Sequence, residues 1–350
     1  GSHQCVDYLS KKFPADATND NLFINGGLIP NSELVAVINS LTTGKLIKKD
    51  NKLLAFRTNN TTIDPLDAAL LNQAKEYTGR IDLIDYPWKI FSLNGSEIAA
   101  DFSLLTAGKV SIPLSKTVNI LGDSPIFAEE GFKGEFITLN SSAGPIYLGK
   151  DSEVMEGSTI RGPFALGDHA VVKLGSKIYG PTTLGPHCKV GGEVNNSVLL
   201  SYSNKGHDGF LGNAVIGEWC NLGADTNNSN LKNNYTEVKI WNYPEERFVN
   251  TRLQFCGLIM GDHSKCAINT MFNTGTVVGV SANIFGSGFP RNFIPSFTWG
   301  GASGITEYRL DKAFETMERV MERREIALTE IDRKILEHVY SDTKKYRSRI

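Results

Sequence analysis

The chain has 350 residues, with 36 Lys and Arg against 38 Asp and Glu and a formal net charge of −2. That balance supplies no basic stripe for a nucleic-acid partner, and no apolar run approaches the roughly 18 residues of a membrane-spanning helix. The length allows two or more units with a large core, and the five scattered cysteines read as small hydrophobes of a reducing, cytoplasmic compartment, not as a disulfide framework.

In chain order, Gly1-Ser2-His3 reads as a cloning remnant that replaces the native N-terminus. Leu22-Phe23-Ile24-Asn25-Gly26 reads as a buried strand ending in a turn. Residues 31–41 are expected as a helix capped by Asn31 or Ser32, with Leu34, Val35 and Ile38 on one face. The polar pair Asp50-Asn51 joins 45–47 and 53–57 as a hairpin. Residues 64–76 are expected as a second helix and 87–105 as a linker helix that ends this α/β unit. Thr43-Gly44-Lys45 is no phosphate loop: the first glycine of that motif is missing, and no hydroxyl residue follows the lysine. Residues 110–146 are expected as short irregular strands that lead into a repetitive region.

From Leu148 an aliphatic residue falls at every sixth position: Val154, Ile160, Leu166, Val172, Ile178, Leu184, Val190. Chance odds are on the order of one in 10⁵. Four residues after each stands a mostly small side chain: Ser152, Ser158, Phe164, Ala170, Ser176, Thr182, Cys188, Val194. A period of six fits neither helix nor ordinary strand. It fits a chain wound round a triangular prism, a hexapeptide-repeat parallel β-helix, with the aliphatic residue inside. Phe210, Ile216 and Leu222 form a second block, with Ala214, Cys220 and Thr226 four residues on. Met260, Cys266, Phe272, Val278 and Ile284 form a third, with Ser264, Thr270, Thr276, Ala282 and Gly288. At three hexads per turn, these blocks imply about five coils. The interruptions, 195–209 and 227–259, are where chemistry is expected, because the sides of a solenoid are monotonous. Residues 306–340 read as a helix with the seam Leu310, Phe314, Met317, Met321, Leu328, Ile331 and Ile335, broken by Arg324 and His338. Such a helix lies on a prism or pairs between subunits as a coiled coil.

The run NKGHDGFLGNAVIGEWCNLGADT, residues 204–226, resembles the acetyltransferase half of the bifunctional N-acetylglucosamine-1-phosphate uridylyltransferase/glucosamine-1-phosphate acetyltransferase family. The match lies in Gly206-His207, Ile216-Gly217 and Asn221-Leu222-Gly223-Ala224. NLFING and YPWKIFSLNGSEIAADF resemble the later part of a sugar nucleotidyltransferase domain, and the branch most similar overall is the sugar nucleotidyltransferase-like one. The resemblance implies a mainly β fold: a left-handed parallel β-helix over 106–300, a partial α/β nucleotidyltransferase-like domain over 1–105 and a helical tail over 301–350. It implies an acetyl-CoA-dependent N-acyltransferase acting on an amino-sugar phosphate or nucleotide amino sugar, a cell-envelope precursor, in a homotrimer with acyl sites between subunits. His207 matches the family's general base. The chemistry agrees: a protonated amino sugar must lose a proton before attacking a thioester, and imidazole can accept one near neutral pH. Asn221 matches an asparagine near sugar and acetyl group, or else closes a prism corner in an asparagine ladder. Ala224 matches a position whose backbone N–H holds the acyl carrier, and Asn230 matches a sugar-contacting asparagine. Ala282, with Thr276 and Gly288, is expected to leave room for the pantetheine arm.

The departures matter. Phe210 stands where the family has tyrosine and Asn195 where it has lysine, so two groups of the sugar-phosphate site are changed. Lys205, Lys232 or Lys239 is expected to compensate, and Trp241, Tyr243 and Arg247 in 227–259 to reshape the pocket. The nucleotide-phosphate loop and the acidic ligands for Mg²⁺ are absent before residue 110, so no nucleotidyl transfer is expected from this chain. Mg²⁺ would matter only with the missing half. Two other readings stand: a non-catalytic sugar-nucleotide-binding scaffold, and a metal-dependent enzyme like the prism-fold carbonic anhydrases. For the latter His169 and His187 stack eighteen residues apart, but no third zinc ligand is evident, and no metal ligands are assigned.

Overall fold

The structure, a computed structural model, describes residues 2–348. It contains two compact units, one comprising the residues up to Tyr86 with Thr329–Ile335, the other Pro87–Leu328 with the residues from Leu336 onward. No helix among the described residues is long and apolar enough to cross a membrane.

The first unit is a four-stranded sheet with one main helix, α1 (Ser32–Asn39). Asn31 caps α1 by accepting from the Leu34 N–H at 2.8 Å. Leu34 and Ile38 are buried, whereas Val35 is exposed and does not share their face. Asp50 and Asn51 turn the hairpin at φ of 50° and 59°, the left-handed pair that a two-residue hairpin requires and that Asp and Asn tolerate. Asn21–Ile24 is not buried: it pairs only with Lys52–Thr58, at the sheet edge, and Leu22 and Ile24 are exposed. The expected helix over 64–76 shrinks to α2 (Ala68–Asn72). Asp67 caps its start, and Lys75–Glu76 leaves the helical path to pair in parallel with Leu46–Lys49.

The second unit is a left-handed parallel β-helix. Its chain runs in turn along face one (six strands, Asn119–Leu121 to Phe210–Gly212), face two (nine, Ile126–Ala128 to Phe293–Ile294) and face three (ten, Lys133–Gly134 to Gly304–Glu307). Nine strands on face two mean nine coils, not five. All eight aliphatic residues from Leu148 to Val190 are at most 1% exposed and form one core. The β-helix starts well before Leu148: Asn119–Leu121, Ile126–Ala128 and Lys133–Gly134 are already in parallel register with the coil above. At the other end Thr298–Gly301 and Gly304–Glu307 close it as an antiparallel pair.

Residues 195–209 are no excursion. They carry Val198–Leu199 and Asn204–Lys205, in register with Thr183, Leu184, Lys189 and Val190. What slips is coil length: Val172 pairs with Val154 eighteen residues before it, but Lys205 pairs with Val190 only fifteen before it. The slip also moves the inward residue from Phe210 to Leu211, which pairs with Val194 and is 1% exposed. The true excursion lies within 229–257 and folds as the hairpin Lys239–Asn242 with Arg247–Asn250.

Helix α3 (Trp88–Thr106) belongs to this unit, so the boundary falls near Tyr86, not at 105. Phe91, Asn94, Ile98 and Phe102 of α3 are buried. Asn94 donates to the Pro181 carbonyl at 2.9 Å and accepts from Thr183 Oγ1 at 2.7 Å, tying α3 to face two. Outward-pointing Val198 and Val215 on that face are consequently buried. The tail is not one helix. It breaks after α4 (Leu310–Glu322), where Glu325 takes a φ of 58°, and resumes as α5 (Glu330–Asp342) and α6 (Lys344–Arg347). Of the expected seam, Met317 is buried with Phe297 and Tyr308, and Leu310, Phe314 and Leu328 pack against that cluster, so this part of the seam is used within the chain.

Candidate active site at a prism corner

The side chain of His207 is exposed at the corner between faces three and one, two residues beyond the strand Asn204–Lys205. The backbone at this corner is closely packed against the coils above and below. A Cβ on Gly192 in the coil below would lie 2.8 Å from Asp208 Cα and 2.9 Å from the His207 carbonyl oxygen, and Gly192 has φ of +73°. Gly209, at φ of +112°, would meet the Thr226 carbonyl oxygen at 2.2 Å. Only glycine fits either place. Gly192 and Gly209 therefore let successive coils nest, whereas Gly206, next to His207, has open space where a Cβ would lie.

Asn204 pairs with Asn221, and the Asp225 N–H donates to the Asp208 carbonyl at 3.0 Å. This register places Ala224 in the corner position of the coil directly above His207, about 4.8 Å along the prism. Asn221 lies on face three of that same coil with its side chain exposed. Among the described residues the Ala224 N–H, the Asn221 side chain and the His207 imidazole make no hydrogen bond, so all three remain available to a ligand. Asp208 does not orient the imidazole. Ile268 continues the column, since the Asn269 N–H donates to the Ala224 carbonyl at 2.8 Å, and Ile268 is 66% exposed.

The other expected residues lie elsewhere. Lys205 points inward: it is 1% exposed and its Nζ donates to the carbonyls of Gly191 and His207. It cannot reach a sugar phosphate outside the prism. Ala282 is also in the core, at 1% exposure, with its N–H held by Ser264 Oγ, so it lines no groove. Thr276 is buried likewise, and Gly288 sits in an exposed loop. Ile268, not Ala282, is the third-block residue at this corner. A search for the corner column, two residues past each inward position, would have found it.

Phe210 begins the next strand of face one, half-buried, its N–H held by Asn227 Oδ1. Asn195 and Asn230 stand at the far side of face one, at or next to the corner with face two. There Asn230 Nδ2 donates to Asn213 Oδ1 at 2.8 Å. The Asn196 amide, oriented with its nitrogen toward the Pro181 and Phe91 carbonyls, accepts from Asn213. Asn230 is therefore a rung of an asparagine ladder and its amide nitrogen is occupied. Lys232 donates to the Glu237 carbonyl. Trp241 stacks on Phe293 at 4.3 Å, and Tyr243 meets Phe293 and Tyr346 edge-on, while Arg247 pairs with Glu245. The hairpin thus clasps α6, and its aromatic residues are spent on packing.

At the corner between faces two and three, His169, His187, Tyr202 and Trp219 form a continuous stack with centroids 4.8, 4.6 and 4.2 Å apart. Each has φ between 57° and 62°. The eighteen-residue spacing of His169 and His187 is thus a ladder of rings in face-to-face contact. Among the described residues no three His, Cys, Asp or Glu groups converge as a metal site.

The class that the fold defines is a left-handed parallel β-helix. Residues 1–110 match the family model described as sugar nucleotidyl transferase. No curated protein matches the chain in sequence. Among solved structures it is similar to NeuO, described as a polySia-specific acetyltransferase, at 12% identity and a TM-score of 0.33 over 60% of this chain and 99% of that one. It is similar to LpxA of Bacteroides fragilis, described as a UDP-N-acetylglucosamine acyltransferase, at 12% identity and a TM-score of 0.32 over 64% and 96%. OatWY, described as a polysialic acid O-acetyltransferase, gives 12% and 0.23 over 54% and 88%.

Proposed function

We propose that this chain is an acyl-CoA-dependent N-acyltransferase, with acetyl-CoA as donor and an amino-sugar phosphate or nucleotide amino sugar as acceptor. The observation that carries the reading is the corner column: His207 exposed, and the unpartnered Ala224 N–H one coil above it. His207 takes the proton from the neutral amine as it attacks the thioester carbonyl; the tetrahedral adduct then collapses to the amide with cleavage of the C–S bond, and the departing CoA thiolate takes that proton. The Ala224 N–H donates to the oxyanion that develops on that carbonyl, and Asn221 offers both a donor and an acceptor to sugar or acetamide. The pantetheine arm runs up the corner past Ile268, in a groove that a neighbouring prism completes in a homotrimer. The match of 1–110 to a sugar nucleotidyl transferase model supports a sugar acceptor.

The test is release of CoA from acetyl-CoA in the presence of a panel of amino-sugar 1-phosphates and nucleotide amino sugars. Acceptor-dependent release is expected. Sugar binding without CoA release in the presence of any acceptor would favour the scaffold reading.

A further inference from the structure

Lys205 is out of place in the prism interior. Its register neighbours on face three are Val190 below and, through the pairing of Asn204 with Asn221, Leu222 above. Burying an ammonium among aliphatic groups is costly, and desolvation pushes the Lys205 pKa down to about 8.

What the charge accomplishes is seen by comparing coils. At the corner between faces three and one, other coils close the turn with a buried hydroxyl. Ser158 and Ser176 donate to the Lys173 carbonyl, Thr226 to that of Gly223 and Thr270 to that of Ala267, all at 2.6–2.8 Å. Each acceptor directly follows the inward aliphatic or cysteine residue. The coils of Val190 and Lys205 have no such hydroxyl: Val194 and Gly209 stand four residues on. A side chain at Gly209 is excluded by the Thr226 carbonyl. Lys205 takes over the task from inside. Its Nζ donates to the Gly191 carbonyl at 3.0 Å, the counterpart of those of Lys173, Gly223 and Ala267, and to the His207 carbonyl at 2.5 Å. Among the described residues, the one corner between faces three and one served in this way is the corner that carries His207.

We infer that Lys205 is a positioning residue: from within the prism its ammonium anchors the His207 carbonyl and fixes the direction in which the imidazole is presented. The inference rests on the reading of His207 as the base. It takes a long side chain with more than one donor to span two carbonyls on two coils, and lysine provides both.

Lys205→Met and Lys205→Leu test it, because Val190 and Leu222 show that the position accepts aliphatic residues. Amide hydrogen exchange of Gly191 and Asp225, whose N–H groups donate to the Lys205 and Asp208 carbonyls at 2.7 and 3.0 Å, and steady-state acyl transfer are measured on the same preparations. Exchange at this corner is expected to rise about tenfold or more while the rest of the β-helix stays protected. The kcat should fall about 10- to 10²-fold, with KM for acetyl-CoA changed less than about twofold. Unchanged corner exchange in a folded variant, or a wild-type kcat, would overturn the inference. If the wild-type chain transfers no acyl group, the reading of His207 fails by itself, and the exchange experiment still decides whether Lys205 anchors the corner.

Discussion

His187 shows how a corner position governs a residue's titration. It lies between His169 and Tyr202 in the ring stack. Desolvation lowers its pKa most, the nearby His169 and Arg324 lower it further, and Asp168 opposes them. With the folded pKa below the unfolded value, the unfolded chain takes up the proton first as pH falls, so stability is full above about pH 6.5 and declines below it. Thermal unfolding between pH 7.5 and 5 should show this decline, and His187→Asn should flatten it, since asparagine tolerates the φ of 60° found there. An identical slope in the variant would show that other groups set the pH dependence. Ala282 makes the opposite kind of prediction. Because it is core, Ala282→Leu should lower stability by about 1–3 kcal/mol through overpacking, seen as a lower urea midpoint. Weaker acetyl-CoA binding is expected from Ile268→Asp instead, as a raised KM with kcat little changed.

At the scale of elements, the β-helix was legible wherever coils are eighteen residues long. From Leu148 to Val190 the length is constant and the inward residue at every sixth position is aliphatic, so the period survives in the sequence. It fades at both ends for different reasons. In the first coils Ala128 and Gly134 occupy inward positions, and Leu148 pairs with Ala128 twenty residues earlier. Around His207 the coils shorten to fifteen to seventeen residues, as in the pairing of Asn204 with Asn221. A fixed period reads such shortening as an interruption and moves Phe210 inside in place of Leu211. His207 and Ala224 were legible from their motif, but their stacking depends on those short coils. The inward aim of Lys205 was hidden for the same reason. Helix α3 was legible as a helix but not as a cover for face two, because its anchor is a single polar contact set. Asn94→Ala removes the bonds to Pro181 and Thr183 and should cost about 1–3 kcal/mol. A loss below about 0.5 kcal/mol would mean that Phe91, Ile98 and Phe102 hold α3 without it.

For the whole molecule, α3 and the hairpin of 239–250 occupy face two and its upper end, while α4–α6 fold back on their own chain. Faces one and three flank the His207 corner, and a homotrimer would bring a second prism against it. Sedimentation equilibrium at micromolar concentration should therefore give three times the 38.4 kDa chain mass, and a monomer would leave the proposed acyl groove one-sided. The most direct measurement remains turnover itself. Acetyl-CoA and the best acceptor of the panel are incubated with the wild-type chain and with His207→Ala, whose fold is verified by circular dichroism. Acceptor-dependent CoA release by the wild type and a fall of about 10²- to 10⁴-fold in the variant are predicted for the loss of a general base. Equal rates in the two proteins would contradict the assignment of acyl transfer to this corner.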